Sequence, residues 1–149
     1  MKRKILIVED NVGLSQMQKD WLSQAGYDAV TAMNETIARS LIRRTQFDLI
    51  LSDVRLPEGD GISLLEWLRK ERKDIPFILT TEYVSVSDVV RTIKLGARDY
   101  LPKPVHREHL LELAEDVFHP VATVRKQERQ LFRRISPMIL KVEKFARLV

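Results

Sequence analysis

Cysteine is absent from all 149 residues, which excludes disulfides, thiolate metal centres and a cysteine nucleophile. No apolar run approaches the length of about 18 residues that a membrane-spanning helix needs. Met1-Lys2-Arg3-Lys4 before Ile5–Val8 begins like a secretory leader, but Glu9 and Asp10 end the apolar run at once. That run is too short for a leader's hydrophobic segment, and a cytoplasmic protein without membrane contact is expected. A glycine-rich loop ending in Lys-Ser or Lys-Thr is also missing, so ATP hydrolysis by that route is excluded.

What is present is a chain of 44% hydrophobic and 31% charged residues, the composition of a soluble globular protein of one-domain length. The net charge of +4 is unevenly spread. Residues 120–149 hold eight Lys and Arg against two acids, Glu128 and Glu143, whereas residues 1–119 hold 17 basic and 19 acidic residues. A near-neutral domain thus carries a basic tail. The tail lacks the aromatic interleaving of a nucleic-acid binder, and a solvated helix face accounts for it more simply.

Short apolar runs alternate five times with longer helical patterns. Lys4–Val8 is rich in β-branched residues, as a strand buried on both faces requires. Asn11 is placed to cap a helix bearing Leu14, Met17, Trp21, Leu22 and Ala25, stopped at Gly26. Asp28–Thr31 reads as a second strand, and Asn34 as the cap of a helix bearing Ile37, Ala38, Leu41 and Ile42. Phe47–Leu51 is the third strand, Pro57–Gly61 a turn, and Ile62, Leu65 and Leu68 mark the third helix. Phe77–Thr80, a helix through Val86, Val89, Val90, Ile93 and Leu95, the strand Asp99–Leu101 and a helix over His106–Phe118 complete the series. Strands alternating with helices predict an α/β fold with one parallel sheet covered on both faces.

In such a sheet, ligands bind beyond the carboxyl ends of the strands. Glu9 and Asp10 follow the first strand, Asp53 the third, Thr80-Thr81 the fourth and Lys103 the fifth. Three convergent carboxylates repel one another unless a cation joins them, and a hard divalent ion such as Mg²⁺ suits oxygen donors. With the Lys103 ammonium and the Thr81 hydroxyl, these are the parts that let a carboxylate accept a phosphoryl group. Singly, each residue has a plainer role: helix capping for Glu9-Asp10 and Thr81, a turn for Asp53, a solvated charge for Lys103.

The spans Ile5–Asn11, Leu49–Gly61 and Gly96–Pro104, with the separations from Asp53 to Thr81 and from Thr81 to Lys103, resemble the receiver domain of two-component response regulators. The likeness covers residues 1–119. It implies a doubly wound, flavodoxin-like sheet of order 2-1-3-4-5 with five helices and a C-terminal helical extension. It implies Asp53 as phosphoacceptor, Mg²⁺ held by Asp10, Asp53, Glu9 through water and the Arg55 backbone carbonyl, and Lys103 on the phosphoryl oxygen. Thr81 and Tyr100 correspond to the switch residues, and the Lys103–Pro104 peptide is expected to be cis. Glu82 and Tyr83 depart from the small residue usual after the switch threonine, and are expected to crowd the site and slow loss of the phosphoryl group. An aspartyl phosphatase needs a second acid two places after the nucleophile, and position 55 is Arg. A regulator rather than an enzyme is therefore expected, one that at most phosphorylates itself from small donors and loses the phosphoryl group unaided.

From Leu110 onward, Leu110, Ala114, Val117, Val121, Val124, Leu131 and Ile135 recur at coiled-coil spacing, broken by Glu128. Residues 120–135 are expected to be a linker and dimerisation helix. Ser136-Pro137 reads as a fresh helix start, followed by Met138, Val142, Phe145 and Leu148. Residues 135–149 resemble the opening of the AAA+ domain in NtrC-like activators of sigma-54 RNA polymerase, as if a following domain were cut short at Val149. The expected partners are a sensor histidine kinase, a second copy through the linker and the face of helix four, strand five and helix five, and polymerase and DNA only through regions beyond this chain. A stand-alone binding module gated by phosphorylation is the alternative.

Overall fold

Ile5, Leu6, Ile7 and Val8 are all fully buried, because successive side chains of a central strand enter opposite faces of the sheet. A computed structural model describes residues 2–82 and 85–120. The elements run β1 (Lys4–Val8), α1 (Val12–Gln24), β2 (Asp28–Ala32), α2 (Glu35–Arg44), β3 (Leu49–Asp53), α3 (Gly61–Lys70), β4 (Phe77–Thr81), α4 (Val86–Lys94), β5 (Asp99–Pro102) and α5 (Arg107–Phe118). All strand pairs are parallel, in the order β2-β1-β3-β4-β5. Tyr83 and residues 121–149, which include the expected linker helix and the segment after it, lie outside the described residues.

The sheet separates two cores. Leu6, Val8, Ile50, Phe77 and Leu79 point to one side, against Ala38 and Ile42 of α2, Leu64, Leu65 and Leu68 of α3, and Val89 of α4. Ile5, Ile7, Leu49, Leu51, Ile78 and Leu101 point to the other, against Leu22 of α1 and Leu110, Leu113 and Ala114 of α5. Local chemistry sets the helix starts. The Asn11 and Asn34 side chains accept hydrogen bonds from the Leu14 and Ile37 amides at 2.9 and 2.8 Å. Asp60 and Ser85 do the same for α3 and α4 through the Ser63 and Asp88 amides.

Several expected boundaries move. The third strand spans Leu49–Asp53 rather than Phe47–Leu51. Phe47 is buried by packing, but pairing with β1 begins at Leu49. It then continues along β4 through the polar residues Ser52 and Asp53. β2 gains Ala32, β4 gains Thr81 and β5 gains Pro102 by the same continuation of pairing. The fifth helix starts at Arg107, one residue after His106. α4 is capped by Ser85, not Thr81, and exposes Val86, Val90 and Ile93 at 41%, 45% and 51%.

One side chain fastens the far end of α4. The half-buried Arg69 guanidinium donates from Nε to the Leu95 carbonyl at 2.8 Å and from a terminal nitrogen to Gly96 at 3.2 Å. Its other terminal nitrogen reaches the carbonyls of Lys73 and Ile75 at 2.8 and 3.2 Å.

Candidate functional site

Parallel strands end at one edge, so the residues that follow β1, β3, β4 and β5 meet there. Glu9 is buried directly after β1, with its amide bonded to the Ala32 carbonyl at 3.0 Å. Asp10 beside it is exposed. Asp53 is the buried last residue of β3, and Thr81 the buried last residue of β4. Lys103 follows β5, its amide bonded to the Thr81 carbonyl at 3.0 Å. The peptide from Lys103 to Pro104 is cis.

The charged groups converge as the sequence predicts. Lys103 Nζ donates to Glu9 Oε1 at 2.8 Å and to Asp53 Oδ2 at 2.7 Å. The other Asp53 oxygen accepts the Arg55 amide at 3.2 Å, and Glu9 Oε2 accepts the Asn11 amide at 3.2 Å. One oxygen from each of Glu9, Asp10 and Asp53 lies within 4.8 Å of the others. Three hard oxygen donors at that spacing fit a divalent cation, with backbone carbonyls and water to complete its shell.

Burial is the largest single influence on both Glu9 and Lys103. It pushes the Glu9 carboxyl above the ordinary carboxylate range and the Asp53 charge adds to the rise, while the Lys103 hydrogen bond and the Asn11 amide oppose it. For Lys103 burial alone acts downward. The hydrogen bonds to Asp53 and Glu9, with their charges, outweigh it and hold the ammonium above the usual lysine value. A cleft of about 410 Å³ opens over these groups, lined by Asp10, Asp53, Arg55, Leu56, Pro57, Thr81, Glu82 and Lys103. Exposed Glu82 also borders the neighbouring cleft along α1, beside Asp10, Asn11 and Leu14. A cleft of about 630 Å³ between Ile42–Asp48 and Lys73–Pro76 contains none of these groups.

Tyr100, on β5, is turned into the core and fully buried, and its hydroxyl has no hydrogen-bond partner among the described residues. Burial raises its ionisation well above the ordinary tyrosine value.

Two contributors escape a reading of the sequence. Gly61, visible only as part of a turn, opens α3 with its amide on the Val54 carbonyl at 2.8 Å. A Cβ there would overlap the Asp53 carbonyl oxygen and sit 3.0 Å from its carbon, so no side chain fits behind Asp53. Glu35 is the other, and no motif marks it, since an acid in a first helical turn reads as dipole compensation.

No helix among the described residues is long and apolar enough to cross a membrane. The response regulator receiver domain family matches residues 5–115. Response regulator protein PilR of Pseudomonas aeruginosa is 31% identical over 140 residues, which cover 92% of this chain and 32% of PilR. Transcriptional regulatory protein GlrR of Escherichia coli is 30% identical over 146 residues, covering 97% of this chain and 33% of GlrR. The chain therefore spans about a third of the length of these curated relatives. Among solved structures, the non-phosphorylated HemR receiver domain of Leptospira biflexa superposes with a TM-score of 0.75 at 36% identity, covering 82% of this chain and 98% of that one. A CheY-like receiver domain protein from Methanospirillum hungatei gives 0.75 at 30% identity, with 87% and 99% covered.

Proposed function

The chain belongs to the response regulator receiver domain family, and from that membership we propose that it is a switch thrown by phosphorylation of Asp53. The observation that carries this reading is the convergence of three carboxylates with Lys103, which bonds Glu9 and Asp53 at once. An Asp53 oxygen attacks the phosphorus of a phosphohistidine on a sensor kinase. The P–N bond breaks, its electrons leave with the imidazole, which takes up a proton, and an acyl phosphate forms. Mg²⁺, when held by Asp10, Asp53, the Arg55 carbonyl and Glu9 through water, supplies charge against the phosphoryl oxygens. Lys103 gives up Asp53 for a phosphoryl oxygen, the Thr81 hydroxyl approaches the same group, and Tyr100 couples that movement to β5 and α4. Glu82, which lines the cleft, narrows access for water. Slower hydrolysis in wild type than in Glu82→Ala supports that role, and equal or faster hydrolysis in wild type removes it.

The output follows from the exposed stripe of α4 and from the tail. Val86, Val90 and Ile93 offer an apolar surface on the α4–β5–α5 face, suited to a homodimer. The likeness to PilR and GlrR covers more than nine-tenths of the chain and so runs well beyond Phe118. That extent supports residues 136–149 as the start of a following domain, and the chain as the receiver of a cytoplasmic sigma-54-dependent activator. Contacts with polymerase and DNA then belong to that further part.

The test is incubation of the chain with Mg²⁺ and acetyl phosphate, read by intact mass beside Asp53→Ala. Gain of one phosphoryl group by wild type alone is expected. A folded wild type that gains none, or an Asp53→Ala that gains one, overturns the assignment.

A further inference from the structure

The loop between β3 and α3 frames the cleft through Arg55, Leu56 and Pro57, yet Arg55, Pro57, Glu58 and Gly59 are all exposed. Something beneath it must fix its path. There lies an acid that phosphoryl transfer leaves unused: Glu35, the first residue of α2, only 8% exposed.

Compensation of a helix dipole needs no burial, and an exposed acid in the first turn serves equally well. A buried carboxylate, by contrast, must be bound on its oxygens. One Glu35 oxygen accepts the Asp60 amide at 3.3 Å. The other pairs with Arg39 of the same helix at 2.5 Å. The Arg39 guanidinium lies 5.1 Å from the centre of the Trp67 ring, and Arg43 5.3 Å from the same centre. Trp67 itself packs on the core from α3. The carboxylate is thus braced from α2 and α3 together and aimed at the loop.

The loop is shaped to receive it. Gly59 has φ +98°, and a Cβ there would stand 2.7 Å from Glu35 Oε1. Asp60 forms an antiparallel bridge pair with Arg55 across the loop. Arg55 in turn gives its amide to Asp53 Oδ1. A continuous path of contacts runs from Glu35 through Asp60 and Arg55 to Asp53.

We propose that Glu35 is a positioning residue of the phosphoacceptor site, holding the β3–α3 loop through the Asp60 amide so that the Arg55 backbone stays aligned with Asp53. The inference rests on the reading of Asp53 and its cation given above. It assigns to α2, which contributes no group to the cleft, control over how well the cation is bound.

The test compares the full chain as wild type, Glu35→Ala and Glu35→Gln. Two quantities are read: the affinity for Mg²⁺ alone by calorimetry, and the metal-free amide resonances of Arg55 and Asp60. Glu35→Ala is expected to shift both resonances and to weaken Mg²⁺ binding about tenfold, as losses behind a metal ligand do. Glu35→Gln keeps an acceptor for the Asp60 amide and is expected to rescue most of that loss. A folded Glu35→Ala with wild-type Mg²⁺ affinity and an unmoved Arg55 amide overturns the proposal. If wild type itself binds no Mg²⁺, the functional reading fails, and the Arg55 resonance alone then decides the tether. Should Glu35→Ala not fold, Arg39→Gln loosens Glu35 without deleting it. The same shifts uphold the proposal, and an unmoved Arg55 amide rejects it.

Discussion

Replacing Lys103 by Met separates the two ways in which the carboxylate cluster can be neutralised. In the wild type its ammonium sits 2.8 Å from Glu9 and 2.7 Å from Asp53, with all three side chains largely shielded from solvent. At an effective dielectric constant near 20, each contact is worth about 6 kcal/mol of attraction, most of which desolvation offsets. The cost of the substitution comes chiefly from what stays behind. Carboxylate oxygens within 4.8 Å of each other repel by roughly 3 kcal/mol at the same dielectric constant. We expect a destabilisation of about 3 kcal/mol at pH 7 without divalent cations, the low end for a broken buried pair. In a domain of this size that lowers Tm by roughly 10 °C.

The pH dependence has a definite sign. Burial already raises Glu9 above 4.5, and loss of Lys103, whose hydrogen bond and charge oppose that rise, raises it further. The folded variant then binds protons more readily than its unfolded chain, so its stability climbs as the pH falls toward that range. The gap between variant and wild type therefore narrows in acid. It narrows again above pH 10.5, where the unfolded lysine titrates before the folded one, whose value is raised. Mg²⁺ should restore the variant more than it stabilises wild type. Urea unfolding across pH with and without Mg²⁺ measures all of this. A variant as stable as wild type at pH 7, or a gap unchanged between neutral and acid pH, refutes the reasoning.

Three further outcomes follow from the geometry. Tyr100→Phe deletes a buried hydroxyl without a partner among the described residues and should stabilise the fold by about 1 kcal/mol. It should also remove a loss of wild-type stability of about 1.4 kcal/mol per pH unit above pH 10, where the unfolded phenol ionises and the buried one does not; urea titrations at pH 8 and 11 decide both. Gly61→Ala forces a methyl group onto the Asp53 carbonyl and should cost roughly 3 kcal/mol by overpacking, together with acceptance of phosphoryl groups from acetyl phosphate. Asn34→Ala removes the 2.8 Å cap of α2 and should cost about 1 kcal/mol, read as a lower urea midpoint; an unchanged midpoint would show that the cap contributes nothing.

The convergence of Glu9, Asp10, Asp53 and Lys103 was legible because the topology puts every strand's carboxyl end at one edge, so position along the chain translates into position in space. Asn11 and Asn34 were legible for the same local reason, since a cap needs only a side chain and the amide three residues on. Strand ends were less so. Apolarity stops at Leu51, but the ladder continues through Ser52 and Asp53, because hydrogen bonding between strands ignores the side chain. The periodic residues of α4 announced a helix without saying what covers it, and Val86, Val90 and Ile93 emerge on the outside. Glu35 and Arg69 were invisible. Each holds a distant segment through backbone groups 25 to 27 residues away, the Asp60 amide and the Leu95 and Gly96 carbonyls, which carry no sequence signature.

The Arg69 clasp has a mechanical consequence. It grips the carbonyls of Leu95 and Gly96 just beyond α4, while the opposite end of the helix is the one that follows β4 in the chain. A rod clamped at its heel swings more readily than it slides. Nine residues make α4 about 13 Å long, so each ångström of push at the Val86 end becomes roughly 4° of tilt. Val86 then travels farthest and Ile93 least, and the apolar stripe opens like a fan instead of shifting as a block.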